Sequence, residues 1–396
     1  MTGPLQGLRV IDLCSVISGP AATAILADQG ADVIKVEALG GDITRQPRAQ
    51  SPGFAPGFVS VNRGKRSLAL DLKQTAGQAI LWRLIEGADV FAQNFRPGAV
   101  DRLGFGYDAA AARHPGLVYL SISGVGPTGP YAGKRVYDPI IQALSGFADI
   151  QADPATGRPR MIRTIVADKT TAIYAAQAVT AALLARSRDG QGQHVEVSML
   201  DAMLAYLWPE GYAPFTVIAD GRQVAPTSPH DMIFQTADGY ITLGAVSNAE
   251  WRGLCLALER PEWIDDPRFA TNAARSANRQ ARLEGVEAAL GGRSTAALVQ
   301  ALEANDVPCM PVLRRSEALD DPQVRANDAI VEIDQPGLGR IRQARPAARF
   351  SRTPALAPRP APALGQDSVA ILGEAGYSTT EIENFRSAGV IGTPGD

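Results

Sequence analysis

Residues 8–37, LRVIDLCSVISGPAATAILADQGADVIKVE, decide the fold. LRVIDL (8–13) is a largely apolar run of strand length, Gly19-Pro20 opens a small-residue helix that runs to about Asp28, and ADVIKVE (31–37) is a second strand. Two strands joined through a helix lie parallel, with a right-handed crossover. The expected class is therefore α/β, with a Rossmann-like large domain built on a parallel sheet. The link CSVISGP lacks the G-x-G-x-x-G that cradles a dinucleotide pyrophosphate, so the topology comes without an NAD signature. Pro20 suits a first helical turn, and Gly19 allows close backbone approach. Such sheets bind ligands beyond the carboxyl ends of their strands, which points to Val16, Ile17 and Ser18.

Moving outward, SLALDLK (67–73) is extended, a helix follows from about Thr75 to Glu86, and ADVFAQNF (88–95) is the next strand. Arg96-Pro97-Gly98 turns into a short helix that carries Arg102. Lys73, Arg96 and Arg102 admit two readings: a solvated surface, or a cradle for a polyphosphate at the strand ends. LVYLSIS (117–123) is a further strand. The Gly/Pro-rich loop after it carries Lys134 and Arg135 into a helix over 137–147. In RTIVADKTTAIYAAQAVTAALLAR (163–186) a β-branched run meets a helix expected to start near Asp168 or Thr170. Ile173, Ala176, Thr180, Leu183 and Leu184 recur at helical spacing and predict its buried side. Asp168 itself reads either as an N-cap or as a carboxylate nucleophile beside backbone dipoles.

Beyond this helix, GQGQHVEVSML reads as turn and strand, and 201–217 as helix. The expected organisation is a large domain, 1–205 with 340–396, interrupted by a linker at 206–228, a smaller α+β domain at 229–325 and a return linker at 326–339. Within the small domain, strands are expected at 239–244 and at VPCMPV, with helices near 249–258, 278–290 and 295–303. Six Arg and five Pro between 340 and 364 predict extended, draped chain. The tail holds two short helices, the second capped by a Ser378-to-Glu381 box.

The composition sets limits on function. At 396 residues with 45% hydrophobic and 20% charged side chains, the chain is long enough for two or three cores. Its net charge of −3 gives no global field for nucleic acid or an anionic membrane, so neither partner is expected, and an anionic ligand needs local groups. Cys14, Cys255 and Cys309 form no C-x-x-C pair, which argues for a reducing compartment and against a structural zinc. Three scattered histidines leave little for a metal centre or a Ser-His-Asp triad. No run approaches the ~18 apolar residues of a membrane span, and the cytoplasm is the expected location.

Taken in order, GLRVIDL, SGP, LADQGADVIKVEALGGDITR, NRGKRSLALDLK, QNFRPGAVDRLGFGYD, LVYLSISGVGPTGPYAGKRVYDPIIQALSG, DKTTAIYAAQAVTAALLAR and GQGQHVEVSMLDA resemble the class III CoA-transferases, the formyl-CoA and carnitine CoA-transferase family. Asp238-Gly239-Tyr240 and Val307-Pro308-Cys309 carry the resemblance into the small domain. It implies that Asp168 is the nucleophile, and that coenzyme A enters as a thioester substrate, with no permanently bound cofactor and no metal. It further implies that Val16, Ile17 and Ser18 line the site. Leu70 and Lys73 would meet the adenosine end, and Asn94, Phe95, Arg102 and Leu103 the CoA body, with Arg96 of the basic cradle beside them as a further CoA-binding residue. Arg135, Tyr137 and Asp138 would flank the reacting end. The implied partners are an acyl-CoA and a small carboxylic acid. Two ring-like chains would interlock as a homodimer.

The sequence departs from the pattern at informative places. Formyl-CoA transferases carry a glutamine at the position of Ile17 and a long glycine-rich lid that is missing after Pro226, which counts against a formyl or oxalate substrate. Ala38 stands where an arginine often follows the second strand. The related α-methylacyl-CoA racemases use a His-Asp pair near 134–140, where this chain has Tyr137-Asp138 and no histidine. A CoA-ester racemase or isomerase, and a catalytically silent CoA-binding protein, are the alternatives to transfer.

Overall fold

The computed structural model describes residues 3–46, 55–218 and 232–395. Strand alternation sorts the main sheet into two faces. Val10, Val33, Val90, Val118 and Leu120 pack on one side, and Ile11, Ile34, Leu68, Phe91 and Tyr119 on the other, all nearly inaccessible to solvent. Strands buried on both faces need helices on both faces, and the crossovers supply them. The strands are β1 (Arg9–Asp12), β2 (Asp32–Glu37), β3 (Arg66–Leu70), β4 (Val90–Gln93), β5 (Val118–Ser123) and β6 (Gln193–Ser198).

They pair in parallel in the order β3-β2-β1-β4-β5-β6, the Rossmann order. The Ser18–Asp28 and Val166–Asp189 helices cover the first face, while Thr75–Glu86, Ser368–Glu374 and Thr379–Ser387 cover the second. The expected tail box is present, with Ser378 and Glu381 capping each other's backbone.

The chain divides into two compact units, residues 1–227 with 328–396 and residues 228–327. The smaller unit holds an antiparallel sheet of β7 (Ile233–Gln235), β8 (Tyr240–Leu243) and β9 (Cys309–Pro311) in that order. Its core gathers Trp251, Leu254, Leu298 and Leu302 from the Asn248–Ala257 and Thr295–Glu303 helices.

Several elements differ from expectation. The helix expected over 201–217 runs only from Met199 to Leu207, followed by turns and a short 3₁₀ segment at Ala213–Phe215. Of the 206–228 linker, positions 219–228 lie outside the described residues. Part of the segment read as a return linker folds instead as β10 (Ile330–Gln335), antiparallel to β11 (Gly339–Ala344), with Gly337 in the turn and Gly339 at the start of β11 both at positive φ. The chain after β11 is irregular to 363, and its tail adds β12 (Ile391–Gly392), antiparallel to β3 at the sheet edge.

The long helix also packs differently from its predicted stripe. Of that stripe Ala176 and Leu183 are buried, together with Ala172, Ala175, Val179 and Ala182, whereas Ile173 and Leu184 are 63% and 60% exposed. Small residues let it lie close to the Ser18–Asp28 helix, whose Ala22 and Leu26 share the same cluster. That contact helps to bring Ser18 and Asp168, in the first turns of the two helices, beside each other.

Candidate active site

The strand order reverses between β1 and β4, which makes a crevice at their carboxyl ends, the place where open α/β sheets take ligands. The loop that forms one wall, Cys14 to Ile17, rests on buried charges. Lys35 Nζ donates to the Cys14 carbonyl (2.9 Å) and to Asp42 Oδ2 (3.1 Å), while Asp42 Oδ2 also accepts from the Val16 backbone N–H (3.2 Å). Lys65 Nζ donates to Asp12 Oδ2 (2.8 Å), Asn62 Oδ1 (2.8 Å) and the Pro20 carbonyl (2.9 Å), and Asp12 Oδ1 accepts from Cys14 N–H (3.0 Å). Both lysines have completely inaccessible side chains.

Burial works against ionisation of Asp12, but Lys65 and Lys35 outweigh it and hold the carboxyl below its ordinary value. Burial also draws Lys65 down to about 8, so the pair stays charged at neutral pH. The network holds Val16 at a φ of 69°, a left-handed conformation that costs a β-branched residue on the order of 1–3 kcal/mol. Asn94 clasps the loop from β4, accepting from Ser15 N–H and donating to Ser15 O, both at 2.8 Å. Gly19 fits because a Cβ there would stand 2.5 Å from the Cys14 side chain.

Asp168 is not an N-cap. The helix begins at Val166 behind Ile165, which places Asp168 in its first turn with its side chain not used as the cap. The cap comes from a distant residue. Asp138, 2% exposed at the head of the Asp138–Leu144 helix, accepts from Ala167 N–H (2.6 Å) and Asp168 N–H (3.2 Å) through Oδ2. Its Oδ1 accepts from Gln142 (2.6 Å), which also binds the Ile162 N–H (3.1 Å). Burial first, and the Asp138 charge second, push Asp168 up to about 6; Ser18 pulls the other way through its hydroxyl and main chain. The carboxyl is mostly ionised at pH 7 and more basic than an ordinary aspartate.

Asp168 opens onto a cavity of about 310 Å³. Of the expected residues, Val16, Ser18, Asn94, Phe95, Arg96, Arg135 and Tyr137 line it with Asp168. Ile17 precedes the first helix without lining it, and Asp138 stays behind the wall as the cap. Leu70 points into the core at 1% exposure, Lys73 and Arg102 are exposed, and Leu103 packs on the core; none of the four lines the cavity. Sequence reasoning did not single out Ser15, Ser123, Gly124, Val125 or Met199, which also line it. The available signal was position, since Ser123 ends β5 and Met199 follows β6.

Arg96, Lys134 and Arg135 border the cavity and take part in none of the ion pairs found among the described residues. One partly buried carboxylate sharing a cavity with three cations outside any ion pair, of which Lys134 also lies over the Tyr131 ring, suits an anionic substrate that reacts with a nucleophile. Behind the β4 loop, Phe95 N–H donates to Gln93, Gln93 to Ser121, and Ser121 Oγ meets His194 Nε2 at 2.8 Å, so the loop is braced from β5 and β6. Among the described residues no group of three or more His, Cys, Asp or Glu is placed to hold a metal, and no helix is long and apolar enough to cross a membrane.

Residues 5–368 match the family described as CoA-transferase family III. The chain belongs to this family. As a class III CoA-transferase it is 36% identical to the succinate–glutarate CoA-transferase of Agrobacterium fabrum, over 94% of this chain and 95% of that one. It is 37% identical to the acetyl-CoA:oxalate CoA-transferase of Acetobacter aceti, over 83% and 86%. Among solved structures, a CAIB/BAIF family protein from Brucella suis superposes with a TM-score of 0.82 at 32% identity, covering 95% of this class III CoA-transferase and all of that chain.

Proposed function

We propose that this CoA-transferase moves CoA from an acyl-CoA to a small carboxylic acid through a covalent aspartyl-CoA on Asp168. The observation that carries the reading is Asp168 itself, an aspartate raised to about 6 and opening onto a cavity bordered by cations. Its Oδ attacks the donor thioester carbonyl and expels CoA thiolate, which leaves a mixed anhydride. The thiolate attacks the aspartyl carbonyl, releasing the donor acid and forming the thioester on Asp168. The acceptor carboxylate then attacks that thioester, and the thiolate expelled a second time takes the new acyl group and frees Asp168. Backbone N–H groups at the start of the Ser18–Asp28 helix are donors suited to the thioester oxyanion. Arg96, Lys134 and Arg135 serve the anionic substrates.

The test is chemical trapping. Hydroxylamine or borohydride added during turnover should leave an adduct on Asp168, and a panel of acyl-CoAs and free acids read by mass spectrometry identifies the donor and acceptor. Wash-in of α-deuterium without any adduct would instead establish the racemase reading.

The chain acts as an interlocked homodimer in this proposal. The exposed apolar side chains Ile140, Leu144, Ile173, Leu184, Trp208 and Phe215 support a covering partner. A folded, fully active monomer at nanomolar concentration in sedimentation would count against it. The cytoplasm is the proposed location, supported by three free cysteines.

A further inference from the structure

A cavity lined wholly by residues of the smaller unit has a volume of about 670 Å³. That is within the range of small-molecule sites, roughly 300–1,000 Å³. Its walls are apolar: Phe234, Leu243, Trp251, Leu254, Leu283 and Val286. Arg279 and Arg282, from the Arg279–Leu290 helix, enter the same lining. A third cation supports them. Arg275 is fully buried, donates to the Phe269 carbonyl (2.9 Å) and to Asn248 Oδ1 (2.7 Å), and stands 5.6 Å from the Trp251 ring.

Three arginines in and under an apolar cavity call for a counter-charge, and the described residues supply none. The ion pairs of this unit are Arg260 with Glu262, Arg268 with Asp266 and Arg325 with Asp320. The Nε atoms of Arg275 and Arg279 are buried and have no hydrogen-bond partner. Burial, then repulsion from Arg279 and Arg275, draws the Arg282 guanidinium below its ordinary value. Such an arrangement is costly unless an anion completes it. Phosphate or sulfate alone would leave the apolar walls unused. A neutral alkane would leave the guanidinium groups unmatched.

We propose that this cavity is a binding site for an alkyl carboxylate, with the chain among Phe234, Trp251 and Leu283 and the carboxylate on Arg279 and Arg282. The site shares no lining residue with the Asp168 cavity and does not depend on the transfer mechanism. Binding draws on two independent effects. Each added methylene should tighten it about fourfold until the cavity is full. The charge-assisted bonds to arginine should be worth about tenfold or more.

The experiment is calorimetric titration of the full-length protein with hexanoate, octanoate and decanoate below their micellar concentrations, with 1-octanol as the uncharged control. Affinity should rise along the series, and octanol should bind at least about tenfold more weakly than octanoate. Arg282→Met and Arg279→Met keep apolar bulk and should each lose about tenfold, with Arg282→Lys recovering part of the loss. Arg113→Met, an exposed arginine paired with Glu86 that lines neither cavity, should leave the titration unchanged. Equal binding of octanol and octanoate, indifference to chain length, or wild-type affinity in both Arg→Met variants with unaltered melting would overturn the proposal. So would octanoyl-CoA, which lacks the free carboxylate, binding as tightly as octanoate in a manner that depends on Arg282. Altered self-association of the Arg282→Met protein, with alkyl carboxylate binding retained, would mark this face as an interface between copies and also overturn it.

Discussion

Replacing Asp168 by Asn should make the protein more stable while ending transfer. Burial and the Asp138 charge hold the Asp168 carboxyl at about 6 instead of 3.8. At 1.36 kcal/mol per pH unit, keeping this group ionised costs the folded state up to about 3 kcal/mol at neutral pH. The sign follows from proton binding. Between pH 4 and 6 the folded carboxyl retains its proton where the unfolded one has lost it, so wild-type stability falls as pH rises through that window. Asn is nearly isosteric, remains uncharged, and removes the slope. Urea denaturation of both proteins at pH 3.5 and pH 8 should therefore give curves that nearly coincide at the lower pH. At the higher pH the variant should lead by about 1–3 kcal/mol, the lower figure allowing for lost attraction to the helix N-terminus. Acyl exchange should fall by several orders of magnitude, since an amide is no nucleophile. An Asn variant that is less stable than wild type at pH 8, or that exchanges acyl groups at near wild-type rate, would refute the reasoning.

Three further outcomes are expected. Asp138→Asn removes the second cause of the elevated Asp168 value, so the acidic limb of the pH–rate profile, near 6 in the wild type, should move to lower pH; an unmoved limb would separate the two carboxylates. Lys65→Met strands Asp12 without its partner in a fully inaccessible site and should cost about 3–5 kcal/mol in urea denaturation, against under 1 kcal/mol for an exposed pair such as Arg113 with Glu86. Gly19→Ala places a methyl group 2.5 Å from the Cys14 side chain and should lose about 1–3 kcal/mol, with KM for acyl-CoA rising as the Cys14–Ile17 loop shifts; unchanged kinetics would show that the loop yields freely.

The βαβ alternation was plain in the sequence because strands buried on both faces must be apolar and their crossovers must be helices. The helix expected from about Thr75 to Glu86 spans Thr75–Glu86. The Asp168 helix was read as starting later than it does. Its cap is a carboxylate thirty positions away, and local spacing rules carry no trace of Asp138. Ile173 and Leu184 were expected inside because they are large and apolar, but close packing against the Ser18–Asp28 helix favours alanine. Lys35, Lys65, Asp12 and Asp42 were also passed over. A charge within a strand run reads as surface until its partner is known, and these partners come from different strands and loops. The β10–β11 hairpin was legible in principle, from Pro336-Gly337 between two alternating runs, but a Pro- and Arg-rich context drew the reading toward irregular chain.

The pairing of Ile391 with Leu70 sets a timetable for biosynthesis. At roughly 5–20 residues per second, β3 emerges from the ribosome roughly 15–60 s before β12 can reach it. During that interval the outer edge of β3 is an unpaired template of the kind that recruits foreign strands. The tail that arrives with β12 closes it with more than two residues of ladder: Asp367 accepts from Ser67 N–H (2.9 Å), Ser368 Oγ donates to Gly392 O (2.7 Å), and Glu374 meets Arg66 (2.9 Å). A nascent chain stalled before residue 367 therefore presents an almost finished nucleotide-fold sheet with one raw margin, a species for chaperones to hold and for truncating mutations to release.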